Sequence, residues 1–356
     1  MLFRSRVKSR KTIDVSRLRR NLIALPVIAL VIKLGIIARI QGFDWYGAAN
    51  GNLFNGLTTL LDKLYQPPGA WYGADGENYL RGLAGLSKDG LFSTQSQLSY
   101  WPAGYPLLMW PVLLLFKSHF FVALAVLQSA LYAFGCAFFV DEIRQTRLIR
   151  FSWPIAIFLT LNPTLALNTI VIGYELPTVA LSLIAVASML KYFRTKKSTF
   201  LSAEVILASL SFMLASFMQP RLLAFAIVFF LLWALARFKL ATGAIFLAIS
   251  LGVVATGPAI EIWRNQKANG FSAISTNLGV TMNIGAGPEA TGGYNGKPNG
   301  VVCPAADKAQ NPAAIDNAKI RCILSWSLHN PVSTLKLSWN KSRSEEHTSE
   351  LQSPYV

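Results

Sequence analysis

Three charged residues interrupt the apolar stretches of this sequence. Asp75 lies within Gly-Ala-Asp-Gly-Glu-Asn-Tyr-Leu (residues 73–80), Glu175 lies within Gly-Tyr-Glu-Leu-Pro (173–177), and Arg221 follows Gln-Pro. A partly shielded carboxylate can take a proton from a hydroxyl group, and burial raises the pKa of such a group. A guanidinium can hold a phosphate through two parallel hydrogen bonds. These residue types together favour proton transfer beside a bound phosphate.

Each of the three residues also has an ordinary structural explanation. Asp75 begins a helical pattern, and a carboxylate at a helix N-terminus is stabilising. Glu175 could cap the helix that follows it, as the nearby Pro177 suggests. Arg221 could place its guanidinium among lipid headgroups, with no specific role in binding a substrate. A carboxylate in a short turn between two apolar runs is costly unless it is paired or solvated, so Glu175 remains a functional candidate.

The apolar runs that position these residues indicate a membrane protein. Hydrophobic residues make up 53% of the chain and charged residues only 14%, which is too apolar for an ordinary soluble domain. A helix needs about 20 apolar residues to cross a hydrocarbon core of roughly 30 Å. The sequence therefore predicts an all-α polytopic protein with about seven transmembrane helices, at 22–40, 120–140, 151–172, 176–192, 200–218, 222–236 and 240–259.

The distribution of basic residues predicts which connections face the cytoplasm. The net charge is +16, but 17 Lys and Arg residues fall within only 42 positions, namely 1–20, 141–150, 191–199 and 237–239. The connections on the opposite side hold 13 Lys and Arg residues in 168 positions, namely 41–119, 173–175, 219–221 and 260–342. This asymmetry predicts a cytoplasmic N-terminus (1–21). The first helix lacks a small-residue cleavage site and is followed by six more predicted spans, so we expect it to be uncleaved and the protein to lie in a bacterial inner membrane. The asymmetry favours contact with membrane lipid and argues against nucleic-acid binding.

Two long segments are expected on the outer side of the 22–259 bundle. The first, 41–119, is too long for a simple linker, and its apolar stretch 104–116 is short enough to suggest an interfacial or re-entrant helix. The second, 260–342, is a loop of mixed structure, rich in Gly, Asn and Pro. It contains Cys303 and Cys322, for which a disulfide in an oxidising compartment and two free thiols are both open.

The sequence shows no sign of a metal ion or a nucleotide cofactor. No pair of Cys or His residues has the spacing of metal ligands, and His119 and His329 are isolated. No Walker-type loop precedes a helix on the cytoplasmic side. We therefore expect no cofactor.

The last residues differ in character from the rest of the chain. Residues 343–353, Arg-Ser-Glu-Glu-His-Thr-Ser-Glu-Leu-Gln-Ser, equal the in-frame translation of a common adapter used in short-read sequencing libraries. We expect 343–356 to be an artefact of that kind and the natural protein to continue with further spans, so that the literal chain is inactive. A genuine charged tail is the alternative.

The order of these features resembles the integral-membrane glycosyltransferases of the GT-C fold, in particular the group of protein mannosyltransferases and the lipid A aminoarabinose transferase. Asp75, the helical run 79–91 and Pro-Ala-Gly-Tyr-Pro-Leu-Leu (102–108) resemble the first outer loop of that family. Glu175 matches its second acidic position and Arg221 its basic position between the fifth and sixth spans. A further resemblance to the outer loop of bacterial family 39-like transferases lies in four short stretches, 263–265, 275–279, 283–285 and 290–294.

The resemblance implies an inverting transfer of a sugar from a polyprenyl-phosphate donor to a hydroxyl acceptor on the outer face. Asp75 would be the base, Glu175 would orient acceptor or sugar, and Arg221 would stabilise the departing phosphate. Further residues are expected to bind substrate, namely Arg264, Arg81, Tyr79, Tyr105 and Asn277. Asp75 lies unusually far from the first span, so Asp44 is a rival for the base, and Glu175 stands where Asp is common.

A transporter or flippase is the alternative function. It predicts ionisable residues or broken helices near the middle of the membrane, in two related halves. The predicted spans contain few such charges apart from Lys33, and we find no internal repeat.

Overall fold

A computed structural model describes residues 76–117, 120–162, 172–195, 199, 201–290 and 300–343 of the chain. These ranges are helical and contain no strand, which confirms the all-α class. Outside them lie the first predicted span at 22–40, the two carboxylates proposed as the base (Asp44 and Asp75) and the acidic tail from residue 344.

The α-helices are α1 (Gly76–Asp89), α2 (Gln97–Tyr100), α3 (Gly104–Phe116), α4 (Phe120–Arg144), α5 (Ser152–Leu161), α6 (Glu175–Arg194), α7 (Ala203–Met218), α8 (Leu222–Arg237), α9 (Leu240–Asn269), α10 (Leu278–Ile284), α11 (Pro304–Asp307), α12 (Pro312–His329) and α13 (Pro331–Arg343).

Three of the described helices are long and apolar enough to cross a membrane. They are Ala123–Arg144 of α4, then α6 and α9. Four more apolar helices are shorter: α3, Ile149–Leu161, α7 and α8. Both α7 and α8 have 16 residues, or about 24 Å of helix at 1.5 Å per residue, which is less than a hydrocarbon core of about 30 Å. By length and composition the helices are consistent with a membrane protein, but they do not establish the predicted number of seven spans.

Helix α9 extends well past the predicted end of its span at residue 259. It has 30 residues and ends at Gly270, whose φ of 73° lies in the left-handed region that glycine adopts without strain. At 1.5 Å per residue its length is about 45 Å. The outer segment predicted to begin at residue 260 therefore begins with ten residues of continuous helix.

Small residues allow the helices of the bundle to approach closely. Helix α6 packs between α4 and α7, and α9 packs against α7 and α8. A Cβ atom on Gly135 would lie 2.8 Å from the carbonyl oxygen of Ala180, and one on Gly257 would lie 2.6 Å from that of Met213. These contacts leave no room for a larger residue, as is usual where helices pack in membranes.

At one end of the bundle, an ion pair lies beside packed aromatic side chains. Arg194, near the end of α6, donates from Nε and Nη2 to the two carboxylate oxygens of Glu142, each at 3.0 Å. Glu142 is only 3% exposed, so the ion pair neutralises a charge that α4 would otherwise bury. At the same end, Tyr192 and Phe246 pack against Trp233.

Removing this ion pair should destabilise the bundle. Glu142→Ala leaves the Arg194 guanidinium without its acceptors, and a hydrogen bond to a charged group contributes about 1.5–3 kcal/mol. We expect a lower midpoint of thermal unfolding in detergent, followed by tryptophan fluorescence. Lys239→Ala, which removes an exposed charge at the same end, is the matched control, and equal midpoints for both variants would contradict the prediction.

The segment after α9 is a helical unit joined by polar contacts and one disulfide. Cys303 and Cys322 are bonded, with their Cα atoms 5.8 Å apart, which is one of the two states that the sequence leaves open. Gly279, at the start of α10, donates its N–H to Asp316 Oδ1 on α12 at 2.6 Å. Packing of α10 on α12 therefore depends on a buried carboxylate that accepts a backbone hydrogen bond.

Stability of this unit should depend on pH through Asp316. Burial raises the pKa of its carboxyl group above the usual range, although the Gly279 N–H and the Lys319 ammonium act in the opposite direction. The folded protein then keeps this proton to higher pH than the unfolded chain. Its contribution to stability is complete below the usual Asp pKa of about 4 and is lost as pH rises through the folded-state pKa.

Asp316→Asn should therefore flatten the dependence of the unfolding midpoint on pH. The amide oxygen can still accept from Gly279, but it carries no charge to desolvate. We expect the midpoint of the variant to rise relative to the unsubstituted protein as pH increases from about 4 towards neutral. Parallel curves over that range would show that Asp316 is not responsible.

Candidate functional site

At the end of the bundle opposite the Glu142–Arg194 ion pair, four aromatic rings meet. They form what we call the aromatic cluster, made of Tyr79 on α1, Trp101, Tyr105 on α3 and Tyr174. The Tyr79 ring lies edge-on to the other three, with centroid distances of 5.3 Å to Tyr105, 6.0 Å to Tyr174 and 6.5 Å to Trp101. Such geometry is favourable for aromatic pairs. Tyr79 and Tyr105 are buried, whereas Trp101 and Tyr174 are partly exposed, so only the latter two can present a ring face to a ligand.

Helix α1 brings Tyr79 into the cluster because its apolar residues share one face. Tyr79, Leu80, Leu83 and Leu86 recur at helical spacing and all are buried. The helix begins at Gly76, directly after Asp75 in the sequence. Arg81 forms an ion pair with Glu77 one turn earlier, both being about one-third exposed, and it lies outside the buried face.

The Tyr105 hydroxyl connects three parts of the chain. It donates a hydrogen bond to Gln128 Oε1 on α4 at 2.9 Å and accepts one from the Gly173 N–H at 3.1 Å. The Gly173 N–H belongs to the turn that leads into α6. A buried hydroxyl of α3 therefore positions the backbone of this turn, next to Glu175.

Glu175 is the first residue of α6, and its side chain is exposed. The carboxylate folds back over the preceding turn, since a Cβ atom on Gly173 would lie 2.1 Å from Glu175 Oε2. A carboxylate in the first turn is stabilising at a helix N-terminus, as the structural explanation of this residue expects. The same location places the exposed Glu175 side chain next to the partly exposed Tyr174.

The turn that carries Arg221 is joined to the turn that carries Glu175. Gln219 Nε2 donates to the Tyr174 hydroxyl at 2.8 Å, and Leu222 packs against the apolar residues around Tyr79. Arg221 lies between these two contacts and is exposed, immediately before α8. The structure thus places an exposed guanidinium and an exposed carboxylate on two turns that share a hydrogen bond.

Arg264 has a different environment from the one expected of a substrate-binding residue. It is completely buried, and its guanidinium donates to backbone carbonyls of the loop between α1 and α3. Nε bonds to the Leu91 oxygen at 3.1 Å, Nη1 to the Leu98 oxygen at 3.0 Å, and Nη2 to the Ser93 oxygen. These contacts favour a structural role, in which α9 holds the loop in place.

Residues after Arg264 form further hydrogen bonds in the same region. Asn265 Nδ2 donates to the carbonyls of Ala273 and Ile274 at 2.8 and 3.1 Å, and the Thr276 N–H donates to the Ser99 carbonyl at 2.9 Å. Asn277, another expected substrate-binding residue, precedes α10, and its side-chain oxygen accepts from the Ser275 hydroxyl. The segments before α3 and after α9 are therefore fastened together.

A buried carboxylate that the sequence analysis did not select lies one turn before Arg264. Glu261 is 0% exposed, and its Oε1 accepts the Gly104 N–H, the first of α3, at 2.8 Å. Within the described residues, its Oε2 has no hydrogen-bond partner. Gly104 is tightly enclosed, since a Cβ atom there would lie 1.8 Å from the Phe217 carbonyl oxygen.

Of the residues selected from sequence, the structure brings Tyr79, Tyr105 and Glu175 together and puts Arg221 on an adjoining turn. Trp101, Tyr174, Gln219 and Glu261 were missed. Tyr174 directly precedes Glu175, and Gln219 lies two residues before Arg221. Glu261 precedes Arg264 by three residues, on the same helix face. That spacing was the available indication that the two charged residues act together.

Within the described ranges, no three His, Cys, Asp or Glu side chains are grouped so as to hold a metal ion. Comparisons with protein-family models, with curated proteins and with solved structures gave no match. The function must therefore be argued from the residues themselves.

The role of Arg264 can be tested with a substitution that keeps its charge. Arg264→Lys cannot reach three separated carbonyls, and each buried carbonyl left unsatisfied costs roughly 1–3 kcal/mol. We expect a lower unfolding midpoint, whereas Lys267→Ala, at an exposed position of the same helix, should leave it unchanged. A variant that keeps full stability but loses substrate affinity would instead make Arg264 a ligand-binding residue.

Proposed function

We propose that this protein transfers a sugar from a polyprenyl-phosphate-linked donor to a hydroxyl acceptor at the outer face of a bacterial inner membrane. The observation that carries the proposal is the hydrogen bond between Gln219 and Tyr174. It joins a turn bearing an exposed Glu to a turn bearing an exposed Arg, beside partly exposed aromatic rings and at one end of an apolar helical bundle. These are the groups that a sugar linked to a lipid phosphate requires.

The reaction needs a base, a group that orients the sugar or the acceptor, and a cation for the leaving group. Asp75, which directly precedes α1, takes the proton of the acceptor hydroxyl, with Asp44 as the rival for this role. The acceptor oxygen bonds to the anomeric carbon through an oxocarbenium-like state as the bond from that carbon to the phosphate oxygen breaks. Arg221 binds the departing polyprenyl phosphate, and Glu175 orients acceptor or sugar. Phosphate is a good leaving group, so no cofactor is needed.

Two further observations support an outer location of the site. The disulfide between Cys303 and Cys322 belongs to an oxidising compartment, and its segment is fastened by Arg264 and Thr276 to the loop before α3. Lys and Arg residues concentrate in the described connections at the other end of the bundle, at 141–150, 191–195 and 237–239. Both observations favour an outward orientation of the aromatic cluster.

A transport function has less support. It would be favoured by ionisable side chains near the middle of the spans. In the apolar helices that the structure describes, four charged side chains are buried. Glu142 and Glu204 lie in terminal turns of α4 and α7, and Glu261 and Arg264 lie in the last third of α9.

Transfer can be measured as release of polyprenyl phosphate from a panel of polyprenyl-phosphate sugars, using membranes that contain the protein together with the further spans expected from the sequence. General-base catalysis contributes about 10²–10⁴-fold, so Asp75→Asn should lower kcat by a factor in this range. Glu175→Gln should lower kcat/KM. Arg221→Gln should slow release more than Arg221→Lys, which keeps the charge but loses the paired donors.

Arg321→Gln, at an exposed arginine of α12, is the control and should keep full activity. Unchanged activity of both Asp75→Asn and Asp44→Asn would rule out a carboxylate base at either position. Uptake of the labelled lipid or sugar into vesicles, without any cleavage of the phosphate linkage, would replace the proposal with transport.

A further inference from the structure

A continuous line of contacts leads from the outer end of α9 to the turn that carries Glu175. Glu261 on α9 accepts the Gly104 N–H at 2.8 Å. Tyr105 follows Gly104 directly, and its hydroxyl accepts the Gly173 N–H at 3.1 Å. Two residues after Gly173 comes Glu175. Two hydrogen bonds and one peptide unit therefore connect a buried carboxylate to the candidate site.

The start of α3 has little freedom to move independently of Glu261. Gly104 lies against the Phe217 backbone so closely that even a Cβ atom would overlap its carbonyl oxygen. The Tyr105 hydroxyl also donates to Gln128 on α4. Because Tyr105 follows Gly104 directly, a shift of the Gly104 backbone would disturb the hydrogen bonds of this hydroxyl with Gln128 and with the Gly173 N–H.

We propose that Glu261 is a positioning residue, which acts through Gly104 and Tyr105 to hold the Glu175 turn in its working geometry. It also links that turn to the segment after α9, because Arg264 and Asn265 on the following turn of the same helix fasten this segment to the loop before α3. The catalytic meaning of this positioning rests on the proposed function, whereas the mechanical coupling does not.

The coupling predicts a specific pattern of backbone hydrogen exchange. In Glu261→Ala the Gly104 N–H loses its acceptor, and both the Gly104 and the Gly173 amides should exchange about fivefold faster or more. Glu261→Gln keeps an oxygen acceptor and should restore protection at both amides. Tyr105→Phe removes the acceptor of the Gly173 N–H directly, so it should expose Gly173 while Gly104 stays protected.

Asp307→Ala is the matched control, because it removes an exposed acidic residue of the same outer segment and should change neither amide. Amides around Arg194 report on the opposite end of the bundle and should stay protected in all variants, which shows that each variant is folded. Faster exchange at Gly104 in Glu261→Ala, with no change at Gly173, would overturn the proposal and leave Glu261 a local cap of α3.

Activity gives a separate measurement. Glu261→Ala should lower kcat/KM for transfer by about tenfold or more, as expected when a reacting group is misplaced, and Glu261→Gln should recover most of it. Absence of transfer in the unsubstituted protein would refute the proposed function but would leave the exchange pattern as the test of the coupling. Full activity of Glu261→Ala in an active enzyme would refute the positioning role.

Discussion

Backbone carbonyls that turn inward at the edge of an apolar bundle must find a donor within the protein, because little water reaches them. The loop between α1 and α3 has three such groups, at Leu91, Ser93 and Leu98, and the guanidinium of Arg264 satisfies all three. The planar fork of arginine suits this task, since its donors point in different directions from a rigid group. This one side chain therefore helps to hold the connection between α1 and α3, the two helices that carry Tyr79 and Tyr105 of the aromatic cluster.

Two buried side chains of α9 make different polar contacts at this end of the molecule. Arg264 holds a loop, whereas Glu261 holds the first turn of a helix, and the two lie on successive positions of one face of α9. The exposed charged groups of the candidate site, Glu175 and Arg221, lie instead at the N-terminal ends of α6 and α8. The fully buried charges of α9 are therefore separate in position from the exposed charges of the candidate site.

Helical class and the location of the apolar helices could be predicted from the sequence, because hydrophobic runs and their periodicity are local properties. Even there, tertiary context changed the boundaries: α9 continues for ten residues beyond its apolar run because Glu261, Arg264 and Asn265 find partners on other segments. The role of Arg264 could not be foreseen, since its acceptors are 166 to 173 residues away and are backbone atoms that no side-chain pattern marks. Tyr105 was selected as a substrate-binding residue, but its hydroxyl contacts the protein itself.

The length of α9 also bears on how the protein responds to its lipid environment. At about 45 Å this helix exceeds a hydrocarbon core of about 30 Å, so it must overhang the core, tilt within it, or do both. A change in bilayer thickness alters the tilt that minimises hydrophobic mismatch. Because Glu261 and Arg264 lie in the last third of this helix, a change in its tilt would move their contacts with the start of α3 and with the loop before it. Through the coupling that we propose, membrane thickness would then influence the geometry of the Glu175 turn.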